Sequence, residues 1–148
     1  MKKLMLSVAT LLVTATLFAQ NATERKAENL VKFKELSYDF GKIKQGVPVT
    51  HDFVFTNISE KPVIIESATA TCGCTTPIKP EPPVGKGKSD KITAGFNAAA
   101  TGPFNKSIYI KVAGVDSPLE IKITGDVLTT EDYAKYEKTK TKTKPGGR

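Results

Sequence analysis

Lys106-Ser107-Ile108-Tyr109-Ile110-Lys111-Val112-Ala113 decides the fold. On an extended chain Ile108, Ile110 and Val112 fall on one side, with Tyr109 and Lys111 on the other. Alternation with period two marks a β-strand half buried against a core, because successive side chains leave opposite faces of a sheet. A few residues on, Leu119, Ile121 and Ile123 alternate with Glu120, Lys122 and Thr124 in the same manner.

Working outward, the pattern recurs along most of the chain. Residues 50–57 place Phe53 and Phe55 on one face, with Asp52, Val54 and Thr56 on the other. Residues 89–97 carry Ile92, Ala94 and Phe96 on one side, and 63–70 form a weaker version. Residues 31–33 and 38–43 begin the series. Turn chemistry separates the runs: Gln45-Gly46-Val47-Pro48, Asn57-Ile58-Ser59-Glu60-Lys61-Pro62, Thr101-Gly102-Pro103 and Gly114-Val115-Asp116-Ser117-Pro118. Pro80, Pro82, Pro83, Gly85 and Gly87 leave residues 75–88 no long strand, since proline cannot donate to a ladder. About seven short strands at regular spacing, with no amphipathic helix among them, predict an all-β antiparallel β-sandwich; a barrel is the alternative.

The two ends read differently. Lys2 and Lys3 precede an apolar run from Leu4 to Phe18 that closes on the small residue Ala19. That is the layout of a secretory signal, so residues 1–19 are expected to be removed and the protein exported, to the periplasm or the cell exterior. The run is 15 residues long, short of the ~20 that span a bilayer as a helix. No later stretch is long or apolar enough to span one. Residues 20–30 read as a linker, 31–128 as the sandwich, and 129–148 as a helical turn followed by a basic tail. Thr130 is the expected cap of a short helix ending at Tyr136, with Glu131 and Asp132 in its first turn. From Lys138 the alternating lysines and threonines offer nothing to bury, which predicts disorder. The tail reads as a solubilising end, or as an electrostatic tether to anionic envelope polymers or membrane surfaces.

The net charge of +7 is largely a property of the ends. Residues 20–130 hold 14 Lys/Arg against 12 Asp/Glu. That balance gives no basic groove, and no nucleic-acid partner is expected. The chain has a single histidine and no Gly-rich phosphate loop or nucleophile elbow, so a Ser-His-Asp set has no spare base. The expected class is a non-enzymatic module, without catalytic residues, that acts through protein or cell-envelope contacts. Asn21-Ala22-Thr23, Asn57-Ile58-Ser59 and Asn105-Lys106-Ser107 match the N-glycosylation sequon.

Cys72-Gly73-Cys74 holds the only two cysteines, placed where a strand pattern stops. On an extended strand both side chains face the same way, so a bond between them needs the chain to turn at Gly73. Glycine permits that turn. A bond over so short a loop is expected to be easily reduced. If the strand at 50–57 is followed by an antiparallel return at 63–70, His51 lies at the same end of the domain. Three readings stand at this point. Cys72 and Cys74 are structural, as packed thiols or a disulfide; or they exchange with other thiols; or, with His51, they are candidate ligands for copper or zinc. His51 also reads as a histidine at the core's edge, on the face of Phe53 and Phe55.

Tyr38-Asp39-Phe40-Gly41-Lys42-Ile43, His51-Asp52-Phe53-Val54-Phe55-Thr56-Asn57 and Thr71-Cys72-Gly73-Cys74-Thr75-Thr76-Pro77 together resemble the secreted bacterial domain of unknown function numbered 1573. Gly102-Pro103-Phe104-Asn105-Lys106-Ser107-Ile108 and Ile121-Lys122-Ile123-Thr124-Gly125-Asp126-Val127 fit the same pattern. The resemblance covers about residues 33–127. It implies an immunoglobulin-like sandwich related to major-sperm-protein-type domains, and no established activity. The loop at 80–88 is long for that pattern.

Overall fold

The computed structural model describes residues 25–142. The expected leader at 1–19, the sequon at 21–23 and the end of the tail, 143–148, lie outside the described residues. A 3-10 turn at Ala27–Asn29 leads into β1 (Val31–Phe33), β2 (Ser37–Lys44), β3 (Val49–Asn57) and β4 (Ile65–Ala70). Then follow β5 (Thr75–Ile78), β6 (Ser89–Phe96), β7 (Gly102–Val112), β8 (Leu119–Leu128) and a helix, α1 (Thr130–Lys142). The strands form two four-stranded sheets, ordered β1-β3-β6-β5 and β2-β8-β7-β4. This is the expected sandwich.

The alternation read from the sequence is what fills it. Phe53, Phe55, Ile92 and Ala94 from the first sheet are fully buried, as are Ile108, Ile110, Val112, Ile121 and Ile123 from the second. Each of the Phe, Ile and Val side chains among them contributes about 1.5–3 kcal/mol by leaving water. At one end of the core the rings of Phe96 and Phe104 stack across the sheets, with centroids 4.0 Å apart.

Several elements differ from the expectation, each for a physical reason. The described residues form eight strands, because β5 forms despite Pro77. β5 pairs with β6 alone, so the side that lacks an N–H donor faces no second strand. β7 begins at Gly102, within the expected break, and sets Pro103 opposite Asp126. β4 pairs with β7 only between Ile108 and Val112, so Pro103 also lies where β7 has a single neighbour. Every ladder is antiparallel except β2 with β8, which is parallel. Those strands lie at opposite ends of the domain sequence, and no hairpin dictates their direction. Residues 25–30, expected to be linker, fold onto the body: Ala27 is buried and Leu30 packs against the core.

The C-terminal helix is longer than expected and its cap is one residue earlier. Thr129 Oγ1 accepts from the Asp132 amide at 3.1 Å and donates to Asp132 Oδ2 at 2.9 Å. The helix passes Tyr136 and Lys138 to end at Lys142. Lys42 of β2 lies over the Tyr136 ring, 5.1 Å from its centroid, and so ties the helix to the sheet beside it.

The β3–β4 corner is organised by Asn57, whose side chain is fully buried. Its Nδ2 donates to Lys61 O and Val84 O, and its Oδ1 accepts from Ser59 N and Ser59 Oγ, each at 2.8 Å. The backbone of Asn57 donates to Lys88 O and accepts from Gly87 N, both at 2.9 Å. One side chain thereby joins the 58–62 turn to the long 80–88 loop. Asn57 is sealed in this network, so the sequon at 57–59 presents no accessible acceptor.

All four edges of the sheets are blunted. β1 has three residues and β5 four, the latter including Pro77. β4 carries a register shift between Ile65 and Ser67. β2 carries one between Asp39 and Lys42, where Gly41 takes a φ of +64° and donates its amide to Asp39 Oδ1.

Candidate functional site

The connection from β4 to β5 crosses from one sheet to the other, and Cys72-Gly73-Cys74 occupies it. Its backbone is pinned at three points. Thr71 N donates to Ser107 O at 3.1 Å, Thr75 N to Cys72 O at 3.2 Å, and Asn97 N to Cys74 O at 3.1 Å. The turn brings the Cα atoms of Cys72 and Cys74 to 5.3 Å, and their sulfurs are bonded. A fully extended chain holds residues two apart at about 7 Å, so the turn at Gly73 is what makes the bond reachable.

The two sulfurs have unequal surroundings. Both cysteines are half-buried, but only Cys74 packs against the hydrophobic core. Gly73 is exposed, and the space a side chain would occupy there is open. Beneath them lies Thr75, only 4% exposed. Its hydroxyl is 3.7 Å from Cys72 Sγ and 3.9 Å from Cys74 Sγ. Sequence reasoning missed this residue, although it directly follows Cys74: a threonine opening a short strand carries no signal that its hydroxyl turns toward sulfur.

His51 is not brought to the cysteines. The starts of β3 and β5 are both level with Phe96 of β6, so histidine and cysteines do share one end of the sandwich. But β6 lies between β3 and β5, and the imidazole turns the other way. It stacks on Tyr38 of β2 at 3.5 Å between centroids, meets the edges of Phe40 and Phe53, and bonds Glu35 through Nε2 at 2.8 Å. Its surroundings are those of a histidine at the core's rim, satisfied by a carboxylate. Among the described residues no group of three His, Cys, Asp or Glu side chains is gathered to hold a metal.

A second feature lies on the same flank. β4 and β5 end their respective sheets side by side. A surface hollow between them is lined by Glu66, Ser67, Ala68, Pro77, Ile78 and Lys79, among others. Ile78 is 66% exposed, the most exposed large apolar side chain among the described residues. On the outer face of the first sheet, Asp52 is held by Lys91 Nζ at 2.7 Å and Thr93 Oγ1 at 2.6 Å. The Lys91 and Thr93 hydrogen bonds keep its carboxyl below the usual aspartate range. No helix among the described residues is long and apolar enough to cross a membrane.

A family model described as "Protein of unknown function (DUF1573)" matches residues 31–127. No curated protein matches the chain in sequence. Solved structures match in fold. A protein of unknown function from Porphyromonas gingivalis W83 aligns with a TM-score of 0.57 at 15% identity, over 72% of this chain and 51% of that one. The PapD-like domain 7 of human CEP192 aligns with a TM-score of 0.54 at 9% identity, over 75% of this chain and 94% of that domain. The SrpA adhesin of Streptococcus sanguinis aligns with a TM-score of 0.52 at 10% identity, over 77% of this chain and 63% of the adhesin. The chain thus spans about half the length of the Porphyromonas protein. At these identities the likeness is one of fold: an immunoglobulin-like, PapD-like sandwich.

Proposed function

We propose that this chain, which belongs to the DUF1573 family of proteins of unknown function, is an exported, non-enzymatic module that docks a protein partner. The observation that carries the reading is the flank where β4 and β5 lie side by side. There a PapD-like sandwich leaves Ile78 and Pro77 beside a polar-rimmed hollow instead of covering them. An apolar anchor within a polar rim is the anatomy of a protein contact. Pro77 on β5 and the register shift on β4 argue for recognition by side chains over strand addition. Export is supported by the basic start at Lys2 and Lys3, the apolar run that follows and Ala19.

The test is site-specific. A photoreactive residue at position 78 of the full chain, produced in its native cells, should give a protein adduct of one discrete mass. Excess unlabelled domain should compete it away, an Ile78→Lys domain should not, and position 124 on the opposite sheet should give no such adduct. No adduct at 78, or equal labelling at 78 and 124, refutes the reading. The mature N-terminus should be Gln20; recovery of the protein with residues 1–19 still attached refutes export by cleavage.

A further inference from the structure

We infer that Cys72 and Cys74 form a thiol–disulfide exchange site for a dithiol partner, in which Cys72 is the sulfur attacked and Thr75 receives the sulfur that departs. This goes beyond the docking module and stands or falls separately from it. Three observations carry it.

First, the bond does no architectural work that the backbone does not already do. Both cysteines lie in one connection, so their bond joins neither sheet to the other. The turn it closes is already pinned by the Thr71, Thr75 and Asn97 amides. The restraint a disulfide places on the unfolded chain grows with the enclosed loop, and here the separation is two residues. Second, the sulfurs are inequivalent. Both are half-buried and both flank the exposed Gly73, but only Cys74 packs against the core, which leaves Cys72 the less engaged sulfur. An incoming thiolate therefore meets Cys72. Third, the partners of the buried Thr75 hydroxyl are the two sulfurs, at 3.7 and 3.9 Å. A buried hydroxyl that donates to a thiolate stabilises it, and a stabilised thiolate is the better leaving group.

The exchange balances as follows. One thiolate of the partner attacks Cys72 Sγ and forms a mixed disulfide. The Cys72–Cys74 bond breaks, and its electron pair leaves on Cys74 Sγ, which accepts the Thr75 O–H. The partner's second thiolate then attacks its own sulfur in the mixed disulfide and releases Cys72 as thiolate. The partner is oxidised to a disulfide and this chain is reduced to a dithiol. The two protons given up by the partner's thiols end on Cys72 and Cys74.

The test uses the full mature chain in mixtures of reduced and oxidised glutathione, with acid quenching, alkylation and mass measurement. The pair should pass from oxidised to reduced within the series, and the reduced chain should keep its urea midpoint. With oxidised glutathione, Cys74→Ser should form the mixed disulfide several-fold faster than Cys72→Ser. Thr75→Val should raise the pH midpoint of thiolate absorbance and slow reduction roughly fivefold, the worth of one ordinary hydrogen bond, and Thr75→Ser should restore both. Oxidised cysteines throughout the series, unfolding on reduction, or equal reactivity of the two serine variants overturns the exchange site. An unchanged Thr75→Val overturns the assignment to Thr75.

Discussion

Replacing Asn57 tests the idea that one buried amide holds the β3–β4 turn to the 80–88 loop. Asn57→Ala deletes four side-chain hydrogen bonds. Their loss is not fourfold. Val84 O keeps a donor in Val63 N at 2.9 Å, and Lys61 O keeps Ser59 Oγ at 2.8 Å. The Ser59 amide and hydroxyl are only half-buried, so water reaches them once Oδ1 is gone. What remains is about two net amide–carbonyl bonds at about 1 kcal/mol each, plus a small cavity, for a total of about 2–3 kcal/mol.

Asn57→Asp is the sharper variant. It keeps the shape and turns a donor into an acceptor 2.8 Å from two carbonyl oxygens. Burial and this repulsion raise the carboxyl's pKa in the folded state, so the native protein binds the proton more tightly than the unfolded chain does. Stability must then fall as pH rises above the ordinary aspartate value of ~3.9, by up to about 1.4 kcal/mol per pH unit, until the folded-state pKa is passed. The variant should lie nearest wild type at about pH 4 and furthest from it at neutrality. The chain has no tryptophan, so urea unfolding is followed by far-ultraviolet circular dichroism. An Asn57→Ala loss within about 0.5 kcal/mol, the range of a surface substitution, or a pH-independent Asn57→Asp gap, refutes the hub.

Three further outcomes are expected. A Cβ at Gly125 would sit 2.7 Å from the Phe104 ring and 2.9 Å from Gly41 O, so Gly125→Ala should lose about 1–3 kcal/mol by overpacking, read from the same urea curves. Asp52, whose carboxyl is held low by Lys91 and Thr93, contributes stability above the ordinary aspartate pKa and loses it as pH falls through the folded-state value. Asp52→Asn should accordingly flatten the acid limb of the stability–pH profile, and an unchanged limb would refute the pairing. Thr129→Ala removes the cap of α1 and should weaken the helix by about 1 kcal/mol. Amide exchange should quicken in α1 while the sandwich keeps its urea midpoint.

Much of the fold was legible because burial here has a simple period. Phe53 with Phe55, Ile92 with Ala94, and Ile108 through Val112 each present one apolar face, and those faces are the core. The strand ends were harder to place. The stretch 75–88 and Pro103 read as breaks, and whether a proline such as Pro77 or Pro103 is tolerated depends on how many neighbours its strand has, which is a property of the assembled sheet. The parallel β2–β8 pairing was equally hidden, because nothing local links Tyr38 to Ile123. At the site, Cys72-Gly73-Cys74 announced itself, and its spacing made a turn at Gly73 the condition for any bond between the sulfurs. The roles of Thr75 and Asn57 did not, since a hydroxyl or amide acquires its partners only when distant segments meet. His51 was placed at the correct end of the molecule but on the far side of β6, a distinction one strand wide that a sequence pattern does not carry.

The blunted sheet margins bear on how this protein behaves in a crowd. Growth of a fibril requires each molecule to offer the next a straight run of free backbone donors and acceptors. Three or four residues, a proline, or a kinked register give such growth nowhere to begin. Strongly β-forming sequence is thereby enclosed between margins that give backbone-to-backbone growth little purchase.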